Sequence, residues 1–147
     1  MSEDLILRCA QDPRVSITFA GAEVTANPLD SPLTFAVRVS APGLDAVAHG
    51  VTHYVDGMAL PRFLERLELT GWAGELAWHS TDRDISVCAV YDGRGYMRLT
   101  WTVRPWRKSA QGEWAASVTT VLEGGSRDRF VAELMEFLGQ GDHRGQD

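Results

Sequence analysis

The stretch that decides the fold is Ile85-Ser86-Val87-Cys88-Ala89-Val90-Tyr91, followed after a short break by Met97-Arg98-Leu99-Thr100-Trp101-Thr102-Val103. Apolar residues fall at every second position in both halves, the period of a strand with one buried face. A two-residue turn sets the apolar face of one strand beside the polar face of the other. An odd loop, Asp92-Gly93-Arg94, matches the faces and pairs Val87 with Leu99 and Ile85 with Trp101. The next alternating run, Trp114, Ala116, Val118, Thr120 and Leu122, extends the sheet. Setting Leu99 against Val118 places Trp101 beside Ala116 and Arg104 beside Glu113.

Further out, the alternation repeats. Val15, Ile17 and Phe19 form one strand, and Leu33, Phe35, Val37 and Val39 another. Residues 44–54 follow a Pro42-Gly43 turn and carry an expected bulge at Gly50. Residues 5–8 suit a short first strand. Two segments change period. Leu60, Phe63, Leu64 and Leu67 lie at helical spacing, with Asp56 as cap, Pro61 in the first turn and Gly71 as stop, about three turns in all. Phe130, Val131, Leu134, Phe137 and Leu138 mark a second helix over residues 127–138, with Ser126 as cap and Gly139 as stop. The order predicts an α+β fold: a mainly antiparallel, curved sheet of about six to eight strands, with two amphipathic helices on one face. Residues 1–139 form one domain and 140–147 a flexible tail.

The whole chain has 147 residues, enough for one core without metal or disulfide staples. Its formal charge of −6 repels phosphate backbones and anionic lipid, so neither nucleic acid nor membrane is an expected partner. The longest run without Asp, Glu, Lys or Arg is residues 46–55, against roughly 20 for a membrane helix. With no apolar signal core near the start, the expectation is cytoplasmic. Cys9 and Cys88 are too few for a four-thiolate zinc site, and no metal or other cofactor is expected. His49 and His53 lie about 13 Å apart if on a strand, too far to share an ion. No phosphate-binding glycine loop or nucleophile elbow is present, and no catalytic residue is assigned.

Two constellations remain. The polar side of the central strands carries Arg98, Thr100, Thr102, Arg104, Ser117 and Thr119, hydroxyls around arginines that suit a carboxylate; the plain alternative is a solvated outer face. The run Gly71-Trp72-Ala73-Gly74-Glu75-Leu76-Ala77-Trp78 sets Trp72 and Trp78 on one face of a strand and points Glu75 toward the arginines. Here the plain alternative is a pair of indoles plugging the core.

That tryptophan run, with Leu99-Thr100-Trp101-Thr102-Val103-Arg104-Pro105 and Trp114-Ala115-Ala116-Ser117-Val118-Thr119, resembles a family of short actinobacterial proteins catalogued as a domain of unknown function. The resemblance implies a source in keeping with an arginine count of thirteen among fourteen basic residues, and no activity. Two readings stand. One is a non-catalytic interaction protein, such as an immunity-type or regulatory partner of another protein. The other is a small-molecule binder or cryptic enzyme, its pocket between sheet and first helix. Oligomeric state is left open.

Overall fold

A computed structural model of the chain describes residues 4–24, 33–52, 59–67, 74–80, 83–92, 94–105 and 111–146. The elements are β1 (Leu5–Arg8), β2 (Ser16–Val24), β3 (Leu33–Ala41), β4 (Leu44–Thr52), α1 (Leu60–Glu65), β5 (Glu75–His79), β6 (Ile85–Tyr91), β7 (Tyr96–Val103), β8 (Ala116–Glu123) and α2 (Gly124–Gln146). Each half of the chain is therefore a four-strand antiparallel meander followed by a helix.

The meanders form two four-stranded sheets, β1-β2-β3-β4 and β5-β6-β7-β8, rather than the single curved sheet expected. They meet where the chain leaves β1: the Ala10 N–H donates to the Val121 carbonyl at 2.8 Å, and the Val121 N–H donates to Cys9 Sγ at 3.2 Å. Alternation identifies strands and pairs sequence neighbours, but it does not say where a sheet breaks. The break follows from burial, because both inner faces close on one core and Phe19 of β2 meets Trp101 of β7 edge-on at 6.0 Å. Helix α2 completes the cluster with Phe130 and Phe137, each within 6.3 Å of the Phe19 ring centre. Such aromatic pairs contribute about 0.5–1.5 kcal/mol each beyond the area they bury.

The register preserves every expected face but shifts by two residues. Val87 pairs with Trp101 and Ile85 with Val103; Trp101 then pairs with Val118 and Val103 with Ala116. A slip of two leaves inward residues inward, so alternation is blind to it. Turn geometry decides. The Asp92 N–H donates to the Tyr96 carbonyl, and Gly95 has φ +87°, a conformation that needs glycine. The three-residue loop therefore ends on Gly95 instead of Arg94. The same shift removes the expected Arg104–Glu113 pairing.

The bulge at Gly50 is present. Phe35 pairs with Val51 and Val37 with Ala48, leaving His49 and Gly50 opposite one residue, with Gly50 at φ +68°. Helix α1 is shorter than its apolar spacing suggests: its N-cap is Ala59, which makes no side-chain cap bond, and its C-cap is Arg66. Pro61 lies in the first turn, where it is tolerated. Asp56 and Gly71 lie outside the described residues. Helix α2 starts directly at the end of β8, two residues before Ser126, and runs through Gly139 to Gln146. A single glycine costs a helix only about 1 kcal/mol, too little to stop it. No helix among the described residues is long and apolar enough to cross a membrane.

Candidate functional site

The inner faces of β5–β8 supply the core, so the outer residues form one open polar surface. Its cross-strand rows follow from the pairing: His79, Ser86, Thr102 and Ser117; then Ala77, Cys88, Thr100 and Thr119; then Glu75, Val90 and Arg98, a row that ends on Val121, which is buried where Cys9 and Ala10 contact it. Glu75, Ala77, His79, Val90, Arg98 and Ser117 are exposed, and the hydroxyls of Ser86, Thr100, Thr102 and Thr119 sit half-buried among them.

Two hydroxyl pairs span β7 and β8. Thr100 Oγ1 and Thr119 Oγ1 lie 2.9 Å apart, and Thr102 Oγ1 and Ser117 Oγ 2.7 Å apart. These short side chains already hold one another, which fixes their rotamers and leaves lone pairs for a further contact. Arg98 stands one row away with an exposed guanidinium. Glu75 shares its row but lies two strands off, about 10 Å, with Val90 between them. Val90 is 37% exposed, and its outward position follows from the alternation of Ala89 and Tyr91.

Arg104 does not join Arg98. It lies just past β7, about 20 Å along the strand direction from Arg98. Its backbone N–H donates to the Asp84 carbonyl and its Nε to the Arg83 carbonyl, both at 3.0 Å. The expected strip of two arginines is thus one open cation and one side chain bracing the β5–β6 turn. That turn holds a polar cluster that sequence reading missed: buried Ser80 donates to the buried Asp84 carboxylate at 2.6 Å. Its only local signal is the dense polar run His79-Ser80-Thr81-Asp82-Arg83-Asp84.

Trp78 is buried in the core, the plainer of its two readings. Trp72 lies outside the described residues. Gly74 is not on the strand face; it makes a bend at φ +80° just before β5. A small cleft of about 170 Å³ opens between α1 and β5, lined by Phe63, Arg66, Leu76, Ala77 and Trp78. Cys88, mid-face, has its thiol pushed above its ordinary pKa, first by burial and then by the negative charge and hydrogen bond of Glu75. A thiol held protonated is a poor nucleophile or metal ligand. Among the described residues no three His, Cys, Asp or Glu side chains gather to hold a metal ion.

Fold and site together define an α+β protein of two antiparallel sheets, one presenting a hydroxyl-paired outer face. The chain belongs to a family of unknown function, DUF6228, whose model matches residues 8–141. No curated protein and no solved structure matches it.

Proposed function

We propose that the chain is a non-catalytic interaction protein that docks another protein on the outer face of β5–β8. The observation that carries this reading is the pair of cross-strand hydroxyl bonds beside Arg98. Covering such a face leaves each of these four hydroxyls with one partner and one O–H of each pair to donate to the docking protein, and short side chains lose little rotamer freedom. Arg98 takes a carboxylate from the partner by a charge-assisted, two-pronged hydrogen bond. Val90 adds apolar contact directly beside Arg98, its cross-strand partner. The face is about 19 Å across four strands, so contacts at its rim are needed to reach the roughly 800 Å² per partner of a stable complex. The charge of −6 suits a partner with a basic field, as an immunity-type protein meets a basic toxin, and raises the encounter rate more than the affinity.

The alternative, a small-molecule pocket between α1 and β5, is less well supported. The cleft of about 170 Å³ falls below the roughly 300 Å³ at which ligand pockets begin. An actinobacterial source and a cytoplasmic location complete the reading, supported by the arginine excess and the chain's polarity.

A photo-crosslinking residue placed at Val90 and, separately, at Val47 on the outer face of the other sheet, at the edge away from β1, tests the proposal in the native host. One protein should be captured from Val90 and not from Val47, and Arg98→Ala should abolish capture while the melting temperature holds. Capture that survives Arg98→Ala, or that is equal from Val47, would show that this face is not the docking surface.

A further inference from the structure

A second surface lies at the outer edge of β1. In antiparallel pairing, residues alternate between turning both backbone groups toward the partner strand and turning both away. The Cys9 N–H donates to the Val15 carbonyl, continuing the β1–β2 register, so Leu5 and Leu7 face β2 while Ile6 and Arg8 face outward. Ala10, next in the outward set, uses its N–H on Val121 of β8. There β8 ends and α2 begins, so Ile6 and Arg8 look into a groove where another strand would have continued.

The groove has a volume of roughly 340 Å³ and is walled on its far side by Ser126, Arg129, Phe130 and Glu133 of α2. Ile6, 45% exposed, is among the few large apolar side chains on the surface among the described residues. Among the residues lining the groove Arg8 and Arg129 oppose a single acid, Glu133, which holds Arg129 only loosely at 3.9 Å with both side chains exposed; exposed Asp4 lies further along, before β1. On a chain of net charge −6 this is a local excess of positive charge. With α2 standing beside the edge, the groove suits one extended chain and not the edge of a second sheet.

We propose that β1 accepts an extended peptide as an added strand, the peptide placing an apolar residue beside Ile6 and an acidic residue, two positions away, beside Arg8. Main-chain hydrogen bonds to Ile6 and Arg8 supply affinity, and the flanking side chains supply selectivity. This site is independent of the β5–β8 face and stands or falls without it.

The test uses the full chain and an acetylated, amidated hexapeptide, Thr-Val-Thr-Asp-Thr-Thr. Controls are the same peptide with arginine for aspartate, and one N-methylated at valine and aspartate, which lack the donors an added strand needs. Amide NMR should show the Ile6 and Arg8 N–H groups exchanging at least about tenfold more slowly with peptide, and those of Leu5 and Leu7 unchanged. Arg8→Glu should reverse the preference between the aspartate and arginine peptides. Equal binding of the N-methylated peptide, equal binding of the arginine peptide, or no response at Ile6 and Arg8 at millimolar peptide would each overturn the proposal.

Discussion

The side-chain amide of Gln111 pairs with both backbone groups of His49: its Oε1 accepts the His49 N–H at 2.8 Å and its Nε2 donates to the His49 carbonyl at 3.1 Å. His49 sits in the β4 bulge, where the ladder to β3 skips it, and β4 is an edge strand. A residue 62 positions away therefore supplies what a neighbouring strand would, and ties the segment before β8 to the first sheet. Gln111→Ala exposes these groups to water, so the loss is about 1 kcal/mol, read as a fall of about 2–4 °C in melting temperature. Gln111→Glu should not restore it, because a carboxylate faces the His49 carbonyl. Faster exchange of the His49 amide in Gln111→Ala checks the assignment.

The core contains one side-chain hydrogen bond with a sharp prediction. The indole N–H of fully buried Trp101 donates to Thr120 Oγ1 at 3.1 Å. Thr120→Val preserves shape but leaves the indole without an acceptor, at a cost of about 1–3 kcal/mol. Thr120→Ser retains the acceptor and gives up one methyl, about 1 kcal/mol. Denaturant unfolding should rank wild type above serine above valine; valine equal to wild type would mean that the hydroxyl contributes nothing.

Gly95 and Gly125 should respond oppositely to alanine. Neither would bring a new Cβ within 4 Å of any atom, so the backbone alone decides. At φ +87° Gly95→Ala is strained and should lose about 1–2 kcal/mol. Gly125, in the first turn of α2 without a positive φ, should gain about 0.4–1 kcal/mol as alanine. Paired thermal melts suffice.

Cys88 carries a pH dependence. Its pKa is raised by burial and by Glu75, so at pH 8 less of it is thiolate than for a free thiol, and alkylation by iodoacetamide should be slower. The rate should climb with pH through an inflection above the ordinary thiol value. Glu75→Gln removes the negative charge and should speed the reaction, without reaching the free-thiol rate because burial remains. Site-resolved mass spectrometry separates Cys88 from buried Cys9.

Much of the candidate surface was legible in local pattern. The outward set Ser86, Cys88, Arg98, Thr100, Thr102, Ser117 and Thr119 follows from alternation alone, because a strand's faces depend only on period. Which hydroxyl meets which did not follow, since pairing of Thr100 with Thr119 depends on a register that a slip of two leaves equally amphipathic. Arg104 was misplaced for another reason: the strand ends at Val103, and a long side chain beyond it turned to the Arg83 carbonyl.

From sequence alone, then, came an α+β chain of short strands with defined inner and outer faces and two apolar helical stripes, all properties of spacing along the backbone. Tertiary structure decided that the strands split into two sheets, that Gly95 sets the hairpin register, and that β1 and β8 part company to open the groove at Ile6 and Arg8. These depend on how two inner faces share one core around Phe19 and Trp101. That is a matter of volume and contact between distant residues, which no local period encodes.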